Sequence, residues 1–296
     1  MIHALPTDRA AGVASCVVKI VGGLGNQMLQ YAAGRAVSLR CGCPLELDLS
    51  FYDRKRHRSF ELSAFPIHAH RRPSNRGWQR ILGRAFRQTD PAATVYRESS
   101  KAFDPCIRSL EAPVRLDGYF FSEKYFSDHA ETIRSELTPP EFSDAGSLEL
   151  KQRMASTEST ALHVRRGDYV TNKNASERFW SCSLEYYEEA IDRVPSRGEV
   201  FVFSDDIPWA RKNLRSSKPL VFVGEGSNHQ KLANAGLRDL WLMTHADHHI
   251  IANSSFSWWG AWLADAGKGL KIAPRKWFND PTIDDSDIIP ERWLRI

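Results

Sequence analysis

Apolar and polar positions alternate in blocks along this chain. Short β-branched runs trade places with longer stretches of helical spacing. Residues 16–21 form a β-branched apolar run that predicts a first strand. The run ends in Gly22-Gly23-Leu24-Gly25-Asn26-Gln27. Met28, Leu29, Tyr31, Ala32, Ala36 and Leu39 then recur at helical spacing as far as Gly42 and Pro44. Residues 45–49 predict a second strand. The result is a strand–glycine turn–helix–strand unit, the seed of an α/β layer. Beyond residue 50 the pattern weakens. A helix is expected over 76–87 and strands over 94–97 and 114–119. A longer helix is expected over 122–137, capped by Ser122 and stopped by Pro139-Pro140.

The second half is more regular. Strands are expected over 160–164, 200–203, 220–223, 248–252 and 270–273. Helices are expected between them over 183–194, 208–214, 237–244 and 256–264. That alternation predicts a parallel sheet covered on both faces. A polar stretch from 139 to about 159, with a short helix over 148–155, separates the halves. The expected organisation is therefore two α/β domains, 1–145 and 146–296, with residues 1–15 disordered. Two parallel-sheet domains in tandem would place a ligand cleft between them, at the carboxyl ends of the strands.

Composition adds little to this picture, and charge distribution adds more. The 296 residues are 42% hydrophobic and 26% charged, ordinary for a globular protein with a sizeable core. A formal net charge of +4 does not by itself imply nucleic acid. Between Arg54 and Arg87, however, ten Lys or Arg residues face a single acid, Glu61. The run fits a solvated basic face equally with a docking surface for an anionic acceptor or a membrane. Its aromatic content is too sparse for a nucleic-acid platform. Cys16, Cys41, Cys43, Cys106 and Cys182 have no framework spacing, which points to reduced thiols in a cytoplasmic protein. Neither a signal sequence nor a membrane-spanning run is recognisable. Cytoplasmic residence, at the inner face of the membrane, is the expectation.

Four segments carry candidate chemistry. The glycine turn at 22–25 permits close backbone approach to a ligand, and Asn26 and Gln27 are expected to project towards it. The turn lacks the third glycine of a dinucleotide fingerprint and the lysine of a P-loop. A tight turn alone also accounts for it. His163-Val164-Arg165-Arg166-Gly167-Asp168 ends a predicted strand, so His163 and Arg165 share a face. Arginine at a strand tip can grip two phosphate oxygens. Asp168 is a candidate base or a partner for a guanidinium, and a structural arginine–aspartate pair fits as well. Ser204-Asp205-Asp206 offers one carboxylate to cap a helix and another to bind. Asn253-Ser254-Ser255 offers more small polar groups at a helix start than one cap requires, and such an end favours an anion. Trp258, Trp259 and Trp262 are expected in the core. Asp285-Ser286-Asp287 is expected to be a loop, and His245, His248 and His249 to end a helix and start a strand. No metal cluster is expected.

Together these segments resemble the α-1,2-fucosyltransferases of glycosyltransferase family 11. The resemblance rests on Gly22 to Ala32, His163 to Tyr169, Phe203 to Asp205 and Asn253 to Trp262, in the family's order. It implies a GT-B-like fold of two Rossmann-like parallel-sheet domains facing a central cleft. It implies GDP-fucose as donor substrate, inversion at the anomeric carbon, and neither metal nor other cofactor. By the same resemblance Arg165 and Asp168 belong to the catalytic set. Gly23, Gly25, Asn26, His163, Arg165, Arg166, Asp205, Asn253, Ser254 and Ser255 bind the donor. Arg165 would hold the β-phosphate, His163 and Asp205 would meet the guanine, and Arg166 and Asp168 would support the loop. The expected partners are a GDP-sugar and a glycan acceptor, lipid-linked or anionic, with O2 of a galactoside as the acceptor atom. Transfer from another GDP-sugar such as GDP-L-galactose is the near alternative. A non-catalytic GDP- or glycan-binding module is the distant one. Asp168 and Glu177 are the candidate bases.

Overall fold

The computed structural model describes residues 13–53, 58–72, 93–167, 177, 179–224, 234–264 and 269–296. The chain divides into two compact units, Met1–Thr138 and Pro139–Ile296. Each is built on one parallel sheet, the α/β class expected from the alternation of elements. The helix expected over 76–87 and most of the basic run lie outside the described residues.

In the amino-terminal unit β1 (Cys16–Lys19) is followed by α1 (Leu24–Cys41), β2 (Leu45–Asp48), β3 (His70–Arg71), β4 (Thr94–Arg97) and β5 (Val114–Asp117). The strand order is β3-β2-β1-β5-β4, and every pairing is parallel. The turn into α1 needs glycine at position 22. Gly22 has φ +85, and a Cβ there would lie 2.8 Å from the Asn26 amide nitrogen. Gly23 is the N-cap, so Gly25 and Asn26 fall inside the helix's first turn. Gly42, at φ 61, ends the helix. Its N–H and that of Cys43 turn back to the carbonyls of Leu39 and Ser38.

The burial of α1 is not confined to one stripe. It includes Gln27 and Gln30, both without exposed surface. These amides satisfy backbone groups that the strands leave unpaired. Gln30 accepts from the Val21 N–H at 2.8 Å and donates to the Gly118 carbonyl at 3.2 Å. Gln27 accepts from the Glu61 N–H at 2.9 Å and donates to the carbonyls of Gly22 and Ser59. Gln27 therefore turns into the fold, which corrects the expectation that it projects towards a ligand. The expected helix over 122–137 is also corrected. Two 3-10 turns, Glu123–Tyr125 and Ser127–His129, precede a short α2 (Ala130–Glu136). Tyr125 and Phe126 are both buried, and Phe126 leaves helical geometry at φ −137 to point inward beside its neighbour.

The carboxyl-terminal unit begins with α3 (Ala145–Ala155), which Asp144 caps through the Ser147 N–H. It continues through β6 (Thr160–Val164), α4 (Leu184–Arg193), β7 (Val200–Ser204), α5 (Ile207–Asn213), β8 (Leu220–Phe222), α6 (Ala235–Met243), β9 (His248–Ile250), α7 (Ser255–Leu263), β10 (Lys271–Ala273) and β11 (Leu294–Arg295). The order is β11-β10-β9-β6-β7-β8, all parallel. Leu162 and Val164 pack on one face with Tyr186, Tyr187 and Ile191 of α4. Ala161, Phe201 and Phe203 pack on the other with Trp241, Leu242 and Met243 of α6. Trp258, Trp259 and Trp262 are buried in α7, as expected. A Cβ on Gly260 would meet the Met243 side chain at 2.9 Å, so α6 and α7 touch closely.

One polar cluster braces the amino-terminal unit. Glu136 of α2 takes a bidentate pair from Arg35 and a 2.5 Å hydrogen bond from the Tyr31 hydroxyl. That hydroxyl in turn accepts from the His68 N–H. The Arg35 and Glu136 side chains are 17% and 7% exposed, so removing one leaves a largely desolvated charge. Glu136→Ala is expected to destabilise the unit by about 3 kcal/mol. A shift in denaturant midpoint equivalent to less than about 1 kcal/mol would refute the bracing role.

Candidate functional site

The register of the carboxyl-terminal sheet assembles the site. Val164 of β6 pairs with Ser204 of β7, and Leu162 pairs with Ile250 of β9. The residues that follow these strands therefore emerge along one edge. Arg165, Arg166 and Gly167 follow β6, Asp205 and Asp206 follow β7, and Asn253, Ser254 and Ser255 follow β9. Strands β7 and β8 lie on one side of β6, and β9 to β11 lie on the other. The strand order changes direction between β6 and β9, the kind of switch point at whose carboxyl ends α/β sheets take ligands.

The two arginines have different partners. Arg165 Nη1 lies 2.8 Å from Asp205 Oδ2, with both side chains about one-quarter exposed. The Arg166 N–H donates to Asp205 Oδ1 at 2.9 Å. Arg166 Nε lies 3.5 Å from Asp206 Oδ2, and its guanidinium sits 3.7 Å over the Trp209 ring. Asp206 also caps α5 by accepting from the Trp209 N–H at 3.1 Å. Asp206 thus caps, as the doublet suggested, while Asp205, expected to meet the guanine, pairs with Arg165. Gly167 completes the arrangement, because a Cβ there would fall 2.4 Å from Asp205 Oδ2.

His163 lies beneath the arginines, 5% exposed, with its ring 5.6 Å from that of Phe256 in the first turn of α7. Burial, then the charge of Arg165, hold its pKa down to about 3. Its Nδ1 has no hydrogen-bond partner among the described residues. The strand tip and the helix start are therefore in contact through this ring pair.

At the start of α7 the three polar residues divide their roles. Asn253 is 1% exposed and donates to the backbone carbonyls of Trp180 and Trp277. It is a tie between segments, which corrects its expected role in capping the helix. The N-cap is Ser254, whose side chain makes no capping bond. Its half-buried hydroxyl and the first N–H groups of α7 form a partly positive helix end. Beneath Asn253, burial pushes the Cys182 thiol up to about 12, and its Sγ lies 3.9 Å from the Asn253 Oδ1.

Seven candidate residues thus gather at one edge: His163, Arg165, Arg166, Asp205, Asn253, Ser254 and Ser255. Gly23, Gly25 and Asn26 occupy the carboxyl end of β1 in the other unit. Asp168 lies outside the described residues. Glu177 is exposed, and its carbonyl accepts from Asn279. Asp284 and Asp285 serve a turn, accepting from the Ser286 and Trp277 N–H groups. Among the described residues no group of three His, Cys, Asp or Glu is arranged to hold a metal. Trp209 was missed at the sequence level. Its signal was its place three residues after a capping aspartate.

Comparison with known proteins bears on this geometry. The chain is 35% identical over 293 residues to an alpha-1,2-colitosyltransferase of Escherichia coli, covering 95% of this chain and 98% of that one. It is 30% identical to the O-antigen biosynthesis glycosyltransferase WbnK of Escherichia coli, covering 93% and 98%. A galactoside alpha-(1,2)-fucosyltransferase 1 of Lagothrix lagotricha is 30% identical over 162 residues, covering 51% of this chain and 43% of its own length. Among solved structures, a mutant Arabidopsis thaliana FUT1 in complex with GDP aligns with a TM-score of 0.48 at 10% identity, covering 88% and 70%. The Glycosyl transferase family 11 model matches residues 13–296, nearly the whole chain, and this protein belongs to that family.

Proposed function

We propose that this protein transfers an L-fucosyl group from GDP-fucose to a hydroxyl of a glycan acceptor, O2 of a galactoside, with inversion at the anomeric carbon. The observation that carries the reading is the edge of the carboxyl-terminal sheet. Arg165, held on Asp205, and the start of α7, which the Ser254 side chain does not cap, both lie there. A glycosyl transfer to oxygen forms a C1–O bond as the C1–O bond to the diphosphate breaks, and the proton of the acceptor hydroxyl passes to a general base, for which Asp168 and Glu177 are the candidates. Negative charge grows on the departing GDP. A guanidinium and a helix amino terminus fixed beforehand stabilise that charge without reorganising. Neutral His163 beneath Arg165 offers a hydrogen-bonding group that adds no second positive charge.

The similarity to a colitosyltransferase supports a second reading. Colitose is fucose without its 3-hydroxyl, so the two donors differ at one polar group. A site that hydrogen-bonds that hydroxyl would reject the deoxy donor, and an apolar one would not. Competition between GDP-fucose and GDP-colitose for a β-galactoside acceptor, with product mass and linkage determined with and without chelator, separates the readings. GDP that binds with no transfer from either donor would leave only a binding module.

Arg165→Ala is expected to lower turnover by roughly a hundredfold or more, comparable to removing an oxyanion donor. Turnover within a few-fold of the wild-type value would reject the role of Arg165. A second prediction concerns acid stability. The folded pKa of His163 lies below its ordinary 6.5, so below pH 6.5 the unfolded chain takes up a proton that the folded chain refuses. Stability from this residue is complete above pH 6.5 and declines as pH falls towards 3. By pH 5 the loss reaches about 2 kcal/mol. His163→Gln should flatten the fall in unfolding free energy between pH 7 and pH 5. An unchanged slope would show that the imidazole does not stay neutral.

A further inference from the structure

Arg166 is the less obvious of the two arginines, because its Nε lies beside Asp206 while its guanidinium sits over an indole. Three restraints fix its orientation: the backbone bond to Asp205, the Asp206 carboxylate beside Nε, and the Trp209 ring beneath the guanidinium. The last two come from one turn of one helix. Asp206 is the N-cap of α5 and bonds the N–H of Trp209, so the cap and the indole sit on the same side of the helix start. A guanidinium stacked on an aromatic face keeps its in-plane donors directed sideways.

We propose that Trp209 is a positioning residue of the donor site, holding the Arg166 guanidinium flat so that its terminal amino groups meet a phosphate oxygen of the nucleoside diphosphate. This rests on the reading of the site as one for a GDP-sugar. It specifies the part that the family resemblance implies for Arg166, which was placed both among the donor-binding residues and in support of the loop. Arg165 pairs with Asp205 and Arg166 with Asp206, so the two guanidiniums can share one diphosphate without competing for one carboxylate. Indole also suits this task better than an aliphatic residue. It binds the cation through its face and leaves every N–H of the guanidinium uncovered.

The test is GDP binding by calorimetry to the full chain and to Trp209→Leu, Trp209→Phe, Arg166→Ala, Arg166→Lys and the Trp209→Leu/Arg166→Ala double variant. Trp209→Leu is expected to weaken GDP about tenfold, and Trp209→Phe by no more than about threefold, since phenyl keeps a face for the cation. Trp209→Leu should add little in the Arg166→Ala background, because the indole then has no guanidinium to hold. Arg166→Lys, which keeps the charge but not the planar fork, should lose about as much as Arg166→Ala. Additive losses in the double variant, or wild-type affinity in Trp209→Leu or Arg166→Lys, would overturn the proposal. If Trp209→Leu does not fold, the Arg166→Lys arm decides. Failure of the wild-type chain to bind GDP would remove the donor-site reading and this inference together. Wild-type binding with an additive cycle would remove this inference alone.

Discussion

The site depends on one constraint, the register of three parallel strands. β6 lies between β7 and β9, and the pairings Val164–Ser204 and Leu162–Ile250 bring their carboxyl ends level. Everything chemical follows within a few residues of those ends. A slip of β6 by one residue would exchange its two faces. His163 would leave the Phe256 ring for the apolar face that packs on Tyr186 and Tyr187, and Arg165 would no longer meet Asp205. Burial on both faces opposes such a slip, because Ala161 and Leu162 belong to different cores.

Charge is balanced at that edge residue by residue. Arg165 and Arg166 are adjacent cations, and two adjacent carboxylates at the end of β7 answer them, Asp205 to Arg165 and Asp206 to Arg166. His163 stays neutral, so the pocket does not carry a third buried positive charge. Gly167 lets the backbone turn directly over Asp205, where any side chain would strike the carboxylate. The ion pairs hold the guanidiniums in place, and the start of α7 adds its own partial positive charge at the same edge.

Much of this was legible in the residues. Strand–helix alternation in the second half gave the parallel sheet to within a few residues at each element. Arg165, Asp205 and Ser254 were identifiable because strand ends and helix caps have local signatures. What was not legible depended on long-range pairing. Asp205, which pairs with Arg165, is forty residues away in sequence (205 − 165 = 40), beyond the reach of any local pattern. Gln27 was expected to project towards a ligand, and nothing in the helical spacing placed Gln30. Their inward turn makes sense only once Val21, Gly118, Ser59 and Glu61 have been brought around them. The strands His70–Arg71 and Leu294–Arg295 are two residues long, too short to show a period. The break at Phe126 arises from tertiary burial of neighbouring aromatics overriding helical propensity.

The start of α7 shows how the fold leaves room for a ligand. Asn253, a residue well suited to cap, is drawn into the interior, where it ties Trp180 and Trp277. Ser254 stands at the N-cap without its side chain turned onto the helix. Leaving a cap unmade typically costs about 1 kcal/mol. Three indoles of the same helix are buried, and that burial supplies far more stability than the missing cap would. The helix can therefore be held from its apolar side while its amino end remains open. On the proposed reading, an anion bound there faces the partial positive charge of a helix end whose orientation the buried indoles already fix. The interior tie and the open end are two consequences of one arrangement: the residue that could have closed the helix is the one that fastens it to the rest of the sheet.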